Sequence, residues 1–145
     1  MTTDLVLMER LQEYISTPFW WNGIEIYLYD IEKYIHRTKH KLHNFDRCDV
    51  YMDVWNKRDH IERILYFIDY PEKIDAIHID NKCVDSQIIP IPFITDGQHR
   101  FLASAYRKDK YIPVIYNGLV DLLDYLKGNS DIKPEWWEGG DTYKN

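Results

Sequence analysis

Asp96-Gly97-Gln98-His99-Arg100 gathers a carboxylate, a glycine, an amide, an imidazole and a guanidinium in one short run. The apolar stretch Ile88 to Ile94 enters this run, and Phe101-Leu102-Ala103-Ser104-Ala105 leaves it with residues suited to a helix. That order predicts a strand, a sharp turn at Gly97 and a helix. Glycine accepts turn conformations that other residues resist. The first amide N–H groups of the helix lack intrahelical partners, and the terminus carries roughly half a positive elementary charge. His99 and Arg100 add directional donors there, and a guanidinium fork matches phosphate oxygens. The chemistry this predicts is a phosphate-binding corner; the competing reading is an ordinary solvated helix cap. Asp96 is the carboxylate inside the run. It can orient a magnesium ion or accept a proton from a hydroxyl substrate, or simply bond the turn amides.

Other elements must hold that corner. Asp4 or Thr3 is expected to cap a helix running to about Ile15, with Leu5, Met8, Leu11 and Ile15 near one face and Pro18 as its stop. Ile24 to Tyr29 alternates apolar and polar residues, which predicts a strand. Ile31, Tyr34, Ile35, Thr38, Leu42 and Phe45 then make one helical stripe. Residues 46–58 read as an irregular connection. Asp59 and Glu62 resemble a capping box, opening a helix that buries Ile61, Ile64, Leu65 and Ile68 and ends at Pro71. Ile74 to Ile79 reads as a strand, Asn81-Lys82 as a turn, and Ile88 to Ile94 as the strand into the corner. Pro90 and Pro92 remove alternate ladder donors, so that strand is expected at a sheet edge. The corner helix is predicted to run to about Arg107. A strand follows from Tyr111 to Tyr116, then a helix with Leu119, Leu122, Leu123 and Leu126 in register, closed by Lys127-Gly128. The fold class predicted is α/β (α+β), a small mixed sheet packed with helices, as one domain over 1–145. Its core is expected at about 24–127, with an irregular tail over 129–145.

Asp96-Gly97-x-His99-Arg100-x-x-Ala103-Ser104-Ala105, followed by Tyr111-Ile112-Pro113-Val114-Ile115, resembles the central box of the ParB/sulfiredoxin-like superfamily. Ile74 to Ile79 is similar to the strand before that box, and the resemblance covers roughly residues 59–116. It implies a corner that grips the phosphates of a nucleotide triphosphate, ATP or CTP, with Mg2+. Gly97 would make the turn, backbone amides from Gln98 onward the cradle, and His99 and Arg100 the phosphate contacts. Sulfiredoxins carry a nucleophilic cysteine where this chain has Gln98, so sulfinic-acid reduction is not expected. Chromosome-partition members carry a Glu-Arg-Arg version of the box. The pattern is nearer to the "DGQHR" proteins of DNA-modification systems and to free serine kinases with a D-G-x-H-R turn. The activity implied is a nucleotide-dependent phosphotransferase or nucleoside-triphosphate hydrolase, with Asp96 and Arg100 as catalytic residues and Asp30 or Glu32 as a second acid. The alternatives are a non-catalytic nucleotide- or DNA-binding module and a ParB-like nuclease. The compact, acidic format suits an accessory protein of a phage or mobile element.

Composition narrows the field. Hydrophobic residues make up 45% of the chain and charged ones 29%, which fits a folded domain and not a disordered chain. No apolar run approaches the roughly 20 residues of a membrane span, and the N-terminus lacks a signal-peptide pattern. The net charge of -6 opposes indiscriminate binding to nucleic acid. Between Lys33 and Arg47, however, five Lys/Arg and three His face a single acid, Asp46. Lys33, Arg37, His36 and His40 therefore form a candidate basic face for a nucleic-acid backbone. His36, His40 and His43 share helical spacing, but no carboxylate or thiol matches them, so no metal site is expected. Cys48 and Cys83 make neither a disulfide framework nor a metal spacing, which fits idle thiols in a reducing cytoplasm. Trp20-Trp21 and Trp136-Trp137 read as core or rim packing, with base stacking as the other use.

Overall fold

The corner hangs on the edge of a small mixed sheet. A computed structural model describes residues 2–15, 24–35, 56–81, 83–84, 87–88 and 92–134. The elements in chain order are β1 (Asp4–Leu7), α1 (Met8–Leu11), α2 (Leu28–Ile35), α3 (Lys57–Asp69), a 3-10 turn (Pro71–Lys73), β2 (Ile77–Asn81), β3 (Cys83–Val84), β4 (Gln87–Ile88), β5 (Phe93–Asp96), α4 (Gln98–Arg107), β6 (Tyr111–Gly118) and α5 (Val120–Lys127). Four strands pair in the order β1-β6-β2-β5, and β3 pairs with β4 as a separate ribbon. β2 runs parallel to β6, while β1 and β5 are antiparallel to their neighbours. The parallel pair requires a crossover, and α4 lies within it. The expected α/β class, a small mixed sheet packed with helices, is therefore the observed one.

Strand alternation puts Val6, Ile77, Ile79, Ile94, Ile112 and Val114 on one buried face. Ile61, Ile64 and Leu65 of α3 join Phe101 and Leu102 of α4 in the same core cluster. The helix ends are tied as well. Arg107, in the last turn of α4, donates to the Phe67 carbonyl at the end of α3 at 2.7 Å and pairs with Asp109. Among the described residues no helix is long and apolar enough to cross a membrane.

Several expected elements are corrected. The helix predicted from Asp4 to about Ile15 is instead strand β1 followed by the single-turn α1. Asp4 to Leu7 pairs antiparallel with Tyr111 to Val114, sending Val6 into the core and leaving Leu5 exposed. The segment fits both periodicities, and pairing with a partner more than 100 residues away decides between them. Residues 24–27 are irregular, not a strand. Here the Asp30 carboxylate accepts the Tyr27 amide at 2.9 Å, so the helix starts at Leu28. The capping box of α3 is Asn56 with Asp59, not Asp59 with Glu62: Asn56 Oδ1 accepts from the Asp59 amide and Asp59 Oδ2 from the Asn56 amide, both at 2.9 Å. β2 is displaced to Ile77–Asn81 and includes Asn81, which was expected in a turn. The strand into the corner is Phe93–Asp96, at the sheet edge; Ile88 belongs to β4 instead, Pro92 precedes the strand, and residues 89–91, with Pro90, lie outside the described residues. α4 ends at Arg107, and α5 closes on a left-handed Gly128, both as expected. Arg37, His36, His40, His43, Cys48 and the two Trp pairs lie outside the described residues; Lys33 is exposed on α2.

Candidate functional site

β5 ends at Asp96, and Gly97 takes a left-handed conformation (φ 104°, ψ 24°) as the N-cap residue of α4. A side chain at Gly97 would be strained by that φ and would also meet Ile77, whose Cγ2 lies 2.5 Å from the position a Cβ would occupy. Glycine is therefore a packing requirement here as well as a turn former. Among the described residues no side chain caps α4, and the first amide to find a backbone partner is that of Phe101, 2.9 Å from the Gly97 carbonyl.

Arg100 folds back over this turn. It donates through Nη1 to the Ala76 carbonyl at 3.1 Å and through Nη2 to Asp96 Oδ2 at 3.2 Å. The Arg100 side chain is 17% exposed and its Asp96 partner 63%, so the pair faces water from the carboxylate side. Asp96, Gly97 and Arg100 are thus together at the corner.

Gln98 and His99 turn the other way. Gln98 is buried and donates weakly to the Ile94 carbonyl at 3.4 Å. His99 is buried in the α3–α4 interface, with its Nε2 2.9 Å from His60 Nδ1 and the two rings stacked at 18°. The side-chain phosphate contact expected of His99 is absent from this geometry. Its position in the first turn points it at α3, and helix-on-helix packing encloses it. Burial first, then the neighbouring His60, Arg63 and Arg100, hold the His99 imidazole well below its usual range. Burial lowers His60 too, against an opposing effect of Asp59. His60 carried no sequence signal beyond its place in a first helical turn.

The two candidate second acids sit elsewhere. Asp30, in the first turn of α2, pairs with Lys57 at 3.0 Å and caps its own helix. Glu32 accepts a hydrogen bond from Tyr106, in the last turn of α4. Tyr106 is eight residues along the helix from Gln98, roughly 12 Å from the corner. Among the described residues no three His, Cys, Asp or Glu gather to hold a metal ion. A groove of about 550 Å³ opens at that far end of α4, with Leu7, Met8, Leu28 and Ala105 along it and Glu9, Lys108 and Lys110 beside them. It does not touch the corner.

No protein-family model, curated protein or solved structure matches the chain.

Proposed function

We propose that this protein binds the phosphates of a nucleoside triphosphate, ATP or CTP, at the β5–α4 corner, as the resemblance to the ParB/sulfiredoxin-like superfamily implies. The observation that carries the reading is a left-handed glycine before an uncapped ten-residue helix, with Arg100 fastened beside it. The bond to the Ala76 carbonyl orients the guanidinium. Its ion pair with Asp96 is open to water, and such pairs contribute only about 0–1 kcal/mol. A phosphate of higher charge can therefore take the place of Asp96 at Arg100. The amides of the α4 first turn and the helix dipole add to that attraction. His99 supports the turn from beneath and does not touch the ligand.

Asp96 suits a magnesium ion held mostly by substrate phosphates and water, a mode that needs only one or two carboxylates. When bound, magnesium neutralises phosphate charge. Asp96 also separates binding from turnover. Of the acids the sequence singles out, Asp96 is at the corner, whereas Asp30 and Glu32 are engaged elsewhere. That arrangement favours a binding module over a phosphotransferase or triphosphate hydrolase, which is the second reading. A nuclease with paired metals needs more acids than this corner offers.

Calorimetric titration with ATP and CTP in the presence of magnesium tests the reading. Arg100→Ala is expected to weaken binding by about 10- to 100-fold, the loss of one charge-assisted contact. Unchanged affinity in that variant would overturn the assignment of Arg100. Phosphate release measured on the same samples decides between the module and the enzyme.

A further inference from the structure

The groove at the far end of α4 combines an apolar lining with charged side chains. Its volume of about 550 Å³ falls in the range of small-molecule sites. Met8 and Ala105 line it and are buried, whereas Leu28, in the first turn of α2, leaves 38% of its surface exposed there. The walls are fastened to each other, because the Met8 amide donates to the Lys110 carbonyl at 2.9 Å. Four ionisable side chains line the groove: Glu9, Lys108, Asp109 and Lys110. Asp109 pairs with Arg107, while Lys108, Lys110 and Glu9 make no ion pair among the described residues. Two ammonium groups against one carboxylate leave a positive excess beside an apolar surface.

Lys108 is also held in a conformation that its residue type resists. It closes α4 with φ 60° and ψ 43°, and among the described residues it alone combines a positive φ with a side chain. α5 ends in the same hydrogen-bond pattern. The Lys108 amide donates to the Ala105 carbonyl and that of Asp109 to Ser104; the Gly128 amide donates to Tyr125 and that of Asn129 to Asp124. At the end of α5 the position holds glycine, which this cap favours. At the end of α4 a lysine stands there despite the steric penalty of a left-handed backbone. The helix dipole does not require it, since Arg107 already places a cation in the last turn of α4.

We propose that this groove binds a small amphipathic monocarboxylate, with Lys108 and Lys110 holding the carboxylate and Leu7, Met8 and Leu28 covering its apolar body. Burial of that body supplies the affinity, and the two ammonium groups select the sign of the head group. Glu9 opposes a second negative charge, which favours a monocarboxylate over a dicarboxylate or a phosphate. The groove and the corner therefore take different ligands, and this inference stands apart from the phosphate reading.

Calorimetry and methyl chemical shifts of the full chain test the site with octanoate, octanol and octyltrimethylammonium. Octanoate is expected to bind at a single site and to shift the methyl signals of Met8 and Leu28. Octanol, which lacks the charge, should bind about ten-fold more weakly, and octyltrimethylammonium more weakly still. Lys108→Gly should lower octanoate affinity about five-fold, the effect of one exposed charge pair, and leave octanol binding unchanged. The same variant relieves the left-handed backbone, so its thermal midpoint should rise by about 2–4 °C. Weaker binding by a more stable protein is a result that a purely structural cap would not give. Equal affinity for the three probes, or no octanoate binding at about 5 mM, would overturn the proposal. Unchanged octanoate affinity in Lys108→Gly, or a lowered midpoint, would overturn it as well.

Discussion

Gly118→Ala is expected to remove about 3–4 kcal/mol of folding stability, because the new methyl group has no space at all. A Cβ at this position would lie 1.9 Å from the Asn81 carbonyl oxygen and 2.5 Å from its carbon. These are backbone atoms of β2, which no rotamer change can move aside. Gly118 faces Asn81 across the parallel β2–β6 pair, and the Leu119 amide donates to that same carbonyl at 3.0 Å. The substitution therefore pries apart the C-terminal ends of the two central strands and the entry to α5. Natural domains of this size hold only about 5–15 kcal/mol, so the loss should lower the thermal midpoint by roughly 10 °C. Thermal unfolding followed by circular dichroism checks this, and a midpoint unchanged within about 2 °C would contradict the close approach.

Gly97→Ala combines two smaller penalties at the corner itself. A left-handed backbone costs an L-residue about 1–2 kcal/mol, and the methyl group meets Ile77 Cγ2 at 2.5 Å and Ile77 Cβ at 2.8 Å. The branched Cβ of Ile77 is anchored in β2 and cannot swing clear, so overpacking adds about 1–3 kcal/mol. The expected loss is about 2–5 kcal/mol, and the first turn of α4 must shift away from β2 to relieve it. Nucleotide affinity should then fall at least about ten-fold, since displaced amides and Arg100 no longer converge. Gly118→Ala provides the contrast. Its clash lies at Asn81, four residues and roughly 13 Å along β2 from Ile77. Well below its unfolding midpoint that variant should bind nucleotide as the native chain does. Equal losses of affinity in both variants would mean that affinity reports general instability and not the corner.

From Asp96 to Gly128 the chain is readable because its signals are local and agree with one another. Asp96-Gly97 followed by helix formers marks the turn, and Lys127-Gly128 marks the end of α5. Nearer the N-terminus the local signals are ambiguous where long-range partners decide. Asp4 to Leu7 carries no mark that a strand beginning at Tyr111 will claim it. At Ile24 to Tyr29 the alternation is genuine, yet the carboxylate of Asp30 captures the Tyr27 amide and starts a helix. That acid three positions downstream was a visible signal, outweighed by the period-two pattern. The corner shows the same division. The backbone bend and the folding of Arg100 onto Asp96 follow from neighbours in sequence. The inward turn of His99 depends on His60, 39 residues away, and nothing between them announces the pairing.

The most direct test of the phosphate corner is a chemical-shift map of the isotope-labelled protein titrated with magnesium and ATP or CTP. The corner and the groove beside Leu28 and Lys108 occupy opposite ends of α4, roughly 15 Å apart, so the map resolves them. Amide changes centred on Gly97 to Phe101, with Arg100 side-chain signals moving alongside, are the predicted result. Changes confined to the groove, or no change at saturating nucleotide, would contradict it.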